Sequence, residues 1–413
     1  MMAKSSWTSA VILALATTSA AAQQPPDQQQ PPAAPPTTAV AAAVPTPPPP
    51  PQDDGGFIEK TIKWADDHQI KERLSGDVDG WYPRLGGMTR GSGFAIGPGY
   101  RTHLGSVFVD LSTAISFKNY RAVDAKVRWF QAYGERFEFW TNYRLEDFPQ
   151  EDFYGLGMSS LESNRVSYDL DSQDIRAIAL YKPWSWLESG VRLGYTTPDV
   201  GPGSDKKFPS IEELFVDAEA AGLIQQPNFL YTTLYAEVDY LDEPGRPRSG
   251  GYYRAAMGFW NDRTTNLFDF KRFDALFTQY HPLNKAKKHI VFGRLGFSFV
   301  NNETGSRVPF YYLPYVGGVD TVRAFNEFRF SDENALWMTA EYHYVLMKWV
   351  TLAVFTDAGK VAPNWQDIRA TNLKGGYGFG VRVHSDDQNF ARVDFGGGGG
   401  EGWRVFLKLG PTF

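Results

Sequence analysis

WRVFLKLGPTF, residues 403–413, sets Trp403, Val405, Leu407, Leu409, Pro411 and Phe413 on one side of an extended chain and Arg404, Lys408, Gly410 and Thr412 on the other. A period of two with one apolar side is the pattern of a strand with one apolar face. It returns upstream in GYGFGVRVH (376–384), where Tyr377, Phe379, Val381 and Val383 oppose Gly378, Gly380, Arg382 and His384. It returns again in FARVDF (390–395), where Ala391, Val393 and Phe395 oppose Arg392 and Asp394. Similar stretches lie near 91–101, 106–118, 121–133, 136–146, 173–182, 185–197, 229–241, 250–262, 267–281, 288–301, 334–346 and 348–359, with a weaker one within 153–170. The total is about sixteen strands, most joined by short polar turns such as Lys118-Asn119, Ser385-Asp386-Asp387 and the segment 244–249.

Composition agrees with an all-β class, because the aromatic share is 15% and strand-favouring residues recur in short runs. The formal charge of −6 argues against a nucleic-acid partner. With Cys at 0, disulfides, thiolate metal sites and a cysteine nucleophile are excluded. Lys4, the apolar run Ala10 to Ala16 and the small residues Ser19 to Ala22 predict a cleaved signal peptide over 1–22, and that apolar run is too short to span a bilayer. Residues 23–56, rich in Pro, Gln and Ala, predict an extended linker. Apolar Phe57, Ile58, Ile62, Ala65 and Ile70 predict a short amphipathic helix, so 57–84 is assigned to a small periplasmic helical segment and 85–413 to the strand domain.

Two architectures can absorb so many alternating strands. A soluble sandwich or solenoid turns its apolar faces inward, whereas an outer-membrane barrel turns them to lipid and lines a lumen with the polar faces. Strands of about ten residues match a tilted bilayer crossing. FEFWTNY and ALYKPWSW place aromatics near strand ends, where an interfacial girdle lies. Short connections alternate with long ones, notably 199–228 and 302–333, as short periplasmic turns and long outer loops do. Hydrocarbon forbids an open edge, so the reading is a transmembrane antiparallel β-barrel in a Gram-negative outer membrane.

Counted back from Phe413 as a strand ending in the periplasm, the loop containing GGVDTVRAF (317–325) falls on the outer side, between the eleventh and twelfth strands. The preceding PFYYLPYVGG is too apolar for a solvated loop, and Gly317 and Gly318 permit a sharp reversal, so the loop is expected to fold into the lumen. A desolvated Arg323 then needs a carboxylate. In FTDAG, alternation turns Phe355, Asp357 and Gly359 inward; in WMTAEYHY it does the same for Trp337, Thr339, Glu341 and His343. Asp357 and Glu341 can both meet the planar guanidinium fork.

At these residues the chain resembles the Omp85 superfamily. TVRAF (321–325), ending in Phe325, is similar to its Val-Arg-Gly-Phe/Tyr loop motif, and FTDAG is similar to its Phe-x-Asp-x-Gly strand motif, here Phe355, Asp357 and Gly359. Glu341 between them and the terminal Phe413 fit as well. LGGMTRGSGFAIGPGY and EDFYGLG look like early parts of the surface-antigen D15 barrel, so the likeness runs over about residues 80–413. The resemblance implies a sixteen-stranded barrel whose sixth outer loop enters the lumen, with Arg323 docked on Asp357 and Glu341. It also implies an unstable seam between the first and last strands, and Phe413 as the barrel's terminal signal. Ala324 stands where the motif has glycine, which requires a negative φ there. Relatives that handle proteins carry periplasmic βα modules before the barrel, and residues 23–85 hold none that can be recognised; client proteins, or a periplasmic partner in place of those modules, are the partners implied beside the lipid bilayer.

The remaining constellations are plain. His68, His103, His281, His289, His343 and His384 have no metal-ligand spacing, FGGGGGEG (395–402) precedes a strand rather than a helix, and no strand sets a serine beside an outward histidine. No cofactor, metal or catalytic residue is expected. Membrane-protein assembly or transport is therefore the first functional reading, a passive diffusion porin the second and a catalytic barrel the third.

Overall fold

Each strand in the computed structural model continues directly into an antiparallel neighbour, so that sixteen of them form one sheet. The structure describes residues 79–409 apart from 90, 133, 135, 244, 303–304 and 385–388. The expected signal peptide, linker and helix, the Ser385-Asp386-Asp387 turn, and Gly410, Pro411 and Phe413 lie outside the described residues. In chain order the strands are β1 (Gly80–Gly86), β2 (Ala95–Leu104), β3 (Val107–Ser116), β4 (Arg121–Ala132), β5 (Phe137–Phe153), β6 (Val166–Trp184), β7 (Leu187–Pro202), β8 (Phe229–Asp239) and β9 (Gly250–Asp262). They continue with β10 (Phe270–Pro282), β11 (His289–Asn302), the short β12 (Tyr315–Val316) and β13 (Phe330–Ser331), β14 (Asn334–Met347), β15 (Val350–Ala362), β16 (Lys374–His384), β17 (Asn389–Gly397) and β18 (Arg404–Leu409). The short pair β12 and β13 forms its own ladder inside the long connection 303–333.

The large sheet curls into a nearly closed barrel in which β18 comes alongside β1. Among the described residues no ladder joins those two edges. Alternation places the apolar side chains on one exposed face: Val354 is 55% exposed, Phe379 50% and Leu407 61%. The polar face between them is for the most part buried or half-buried. So wide an exposed apolar surface suits hydrocarbon rather than water. Connections at one end are mostly short, including 105–106, 185–186 and 348–349, while the other end carries 203–228 and 303–333.

Two strand assignments change. The first strand is Gly80–Gly86, in the stretch given to the helical segment, and the weak strand within 153–170 does not exist as such. Pro83 hides β1 in the sequence, because proline lacks the ladder donor; an edge strand tolerates that, and Pro83 stands opposite Pro98. The stretch 154–165 is instead a loop, and β6 runs 19 residues from Val166. With β5 and β7, of 17 and 16 residues, it rises well beyond the roughly nine to eleven residues needed to cross a bilayer. Over this raised wall Phe153, Val166, Ile211, Phe215 and Phe310 form a buried cluster that joins the two long connections.

Candidate functional site

Segment 317–325 lies on the polar face of β14–β17, and glycines make that approach possible. A Cβ on Gly396 would overlap the carbonyl oxygen of Arg323, and one on Gly376 would overlap the methyl of Ala324. At Gly359 a Cβ would sit 2.8 Å from Val316 Cγ1. The segment reverses at Gly317 and Gly318, both with positive φ, and the Gly318 amide donates to the Phe325 carbonyl at 3.1 Å. Val316, Val322, Ala324, Phe325 and Phe330 then pack on Ala335 and Val361. Ala324 is not among the residues of positive φ, so the methyl group in place of the motif glycine costs no backbone strain.

Arg323 is 1% exposed. Its Nε and Nη2 each donate to Asp357 at 2.7 Å, one to each carboxylate oxygen, and its own amide adds a third bond to Asp357 at 3.1 Å. Nη1 lies 2.7 Å from Glu341 Oε1 and 3.2 Å from Asp394 Oδ2. The guanidinium carbon stands 3.3 Å over the Phe355 ring. The two carboxylates anticipated from alternation are thus both present, with Phe355 and Gly359 beside them. Asp320, the acidic residue nearest to Arg323 in sequence, pairs instead with Lys408 on β18 at 3.5 Å.

Three members of the site were missed. Asp394 on β17 and the arginines Arg382 and Arg392 complete a network in which Arg382 donates to Asp394 at 2.6 Å and to Glu341 at 3.0 Å. Arg392 also donates to Asp394, and His343 contacts Glu341 at 2.6 Å. The same alternation that exposes Phe379 on β16, and that sets Val393 and Phe395 opposite Asp394 on β17, turns Arg382 and Asp394 to the polar face, so the signal was there one and two strands further on. Three guanidinium groups face three carboxylates, and burial is compensated because nearly every charge has several partners.

Further ties bind the loop to the far edge. Arg404 on β18 donates to the Ala324 carbonyl at 3.0 Å and to Asn326 at 2.7 Å. Arg329 donates to Glu401 at 2.8 Å and to Ser160 at 2.9 Å. Gly399 is pressed against Phe325, since a Cβ there would sit 2.5 Å from the ring. His384 is buried and contacts Thr351 at 3.0 Å. Among the described residues the carboxylates grouped closely enough for a metal are Asp147, Asp169 and Asp171, away from this network.

No curated protein matches the chain. Among solved structures it is similar to BamA from Haemophilus ducreyi lacking POTRA domains 1–3, at 13% identity over 81% of this chain and 71% of that one, with a TM-score of 0.61. It is also similar to CdiB from Escherichia coli, at 13% identity over 79% of this chain and 59% of that one, with a TM-score of 0.50. The chain thus spans less than two thirds of the CdiB length, and at these identities the likeness is one of fold. The Omp85 superfamily domain matches residues 165–396, more than half of the sequence and the part that holds Arg323, Glu341, Asp357 and Asp394. The chain therefore belongs to the Omp85 superfamily.

Proposed function

We propose that this chain assembles or transports polypeptides at the outer membrane, with segment 303–333 as a plug inside the barrel lumen and Arg323 as its fastening. One observation carries the reading: a buried guanidinium from a loop is held by carboxylates of β14, β15 and β17, next to a β18 edge that, among the described residues, no ladder joins to β1. A diffusion pore works with an open lumen and a wall bonded all round. A plug fastened beside an unpaired edge suits a wall that opens sideways, because edge donors and acceptors can accept a further strand. Client polypeptides, or a periplasmic partner that delivers them, are the proposed partners.

The test is co-purification from outer membranes in mild detergent, together with conductance in planar bilayers. Recovery of a nascent barrel or periplasmic partner with a largely closed channel supports the proposal. A wide, steady conductance without any such partner overturns it in favour of a porin.

A further inference from the structure

On the polar face at the short-turn end, a second feature adjoins the Arg323 network and shares Glu341, Arg382 and Arg392 with it. Residues 245–249 fold back against the barrel wall, and Asp242 shapes this turn by accepting the amides of Arg248 at 2.9 Å and Ser249 at 3.0 Å and the ammonium of Lys287 at 2.7 Å. This turn brings Arg246, which is buried, and Arg248 to a cavity of about 50 Å³ that Arg294, Arg382 and Arg392 also line. Tyr280, Ile290, Phe292 and Val345 form its apolar wall. Five arginines thus line the space together with His343, Thr351 and one carboxylate, that of Glu341.

The charges do not balance. Arg382, Arg392 and Glu341 belong to the network already described, which is neutral within itself. Arg248 and Arg294 are additional, and the Nε atoms of both are buried with no hydrogen-bond partner among the described residues. Buried cationic donors left in this way are costly unless an anion meets them. We propose that this cavity binds a phosphate-type oxyanion, either free or as a lipid headgroup. Arg248 and Arg294 line it from the turn and from β11, beside Arg382 and Arg392 of β16 and β17, whose forks already meet Asp394 and Glu341; a tetrahedral oxyanion presents oxygens to donors on separate elements, and a planar carboxylate does not. The volume holds several waters or one such ion. This inference does not depend on the plug or on polypeptide handling.

Two measurements test it on the full chain. In the first, inorganic phosphate is titrated calorimetrically into protein in a phosphate-free non-ionic detergent. In the second, phosphatidylglycerol retained after mild extraction is counted by native mass spectrometry. Saturable phosphate binding is expected, weakened about tenfold or more by Arg294→Gln or Arg248→Gln and less by Arg294→Lys. Heat-modifiable mobility on gels verifies that each variant barrel has folded. Retention of phosphatidylglycerol alone, lost in the same variants, assigns the site to a headgroup and sustains the proposal. No binding in either measurement, binding unchanged in folded Arg248→Gln/Arg294→Gln protein, or preference for a peptide carboxylate over phosphate overturns it.

Discussion

Arg323 and Asp357, 34 residues apart in sequence, share three hydrogen bonds: two from the guanidinium fork and one from the arginine's own amide. The main-chain bond fixes the loop backbone, and the fork fixes the side chain. Shortening the arginine therefore removes the two fork bonds, whereas neutralising the acid weakens all three.

Arg323→Ala should cost about 3–5 kcal/mol of loop attachment, the usual penalty for breaking a buried pair, while the strand ladders keep the barrel folded. Arg323→Lys should recover only part, since an ammonium cannot make the forked contact. Protease cleavage within 303–333 measures attachment, and heat-modifiable mobility measures the barrel. Arg323→Ala/Asp357→Ala should be little worse than either single variant; additive losses would refute the pairing as the fastening.

Gly396→Ala tests the same attachment without touching a charge. The three nearest neighbours of its added methyl are all atoms of Arg323, two of them main-chain, so the loop must move, at a cost of about 1–3 kcal/mol. Faster cleavage of 303–333 with unchanged barrel mobility is the expected result. A variant as resistant as the wild type would show that 317–325 does not rest on β17.

The edge between β1 and β18 should be weakly joined. With no native cysteine in the chain, cysteine pairs at Tyr82 or Arg84 on one strand and Phe406 or Lys408 on the other should crosslink in few combinations. Efficient crosslinking of every pairing in register would mean a continuous ladder, against the weak seam.

Topology predicts opposite accessibility for two connections. An epitope inserted between Lys206 and Lys207, in 203–228, should be reached by antibody on intact cells, and one between Lys285 and Ala286 should not. The reverse pattern would invert the barrel and with it the placement of the loop.

The turn that carries Arg248 should open in acid. Burial opposes ionisation of Asp242, but the Lys287 ammonium and the amides of Arg248 and Ser249 outweigh it and hold the carboxyl below its ordinary value of 3.8. A depressed native pKa gives stability that is complete above the unfolded value and is lost as pH falls through the folded one. Amide exchange at Arg248 and Ser249, corrected for intrinsic rates, should therefore accelerate below about pH 4. Asp242→Asn should abolish that dependence; persistence of it would exclude Asp242 as its source.

The alternation rule made most of the wall legible, because a lipid-facing strand cannot hide its register: Thr356 and Tyr342 point away from the site for the same reason that Asp357 and Glu341 point into it. It failed where sequence and face part company. GWYPRLG carries a proline that denies a ladder donor, so β1 did not look like a strand, and the apolar residues within 153–170 serve a cluster beneath the loops rather than a wall. Asp394 was missed because partners for Arg323 were sought on the two following strands, whereas a guanidinium has donors enough to bridge to β17 as well. The cavity lined by Arg248 was illegible, since only folding turns Arg246, Pro247 and Arg248 back toward β11 and β16.

The evenness of the buried network has one last consequence. Three positive and three negative groups cancel while the loop is in place, and only one of the six, Arg323, belongs to the loop; the other five are fixed to strands. Were the loop to leave, it would carry away one unit of positive charge and the wall it covered would become anionic by that amount. Withdrawal is thus an exchange, completed most readily when a proton, a metal cation or a basic side chain of another polypeptide takes the place the arginine gave up.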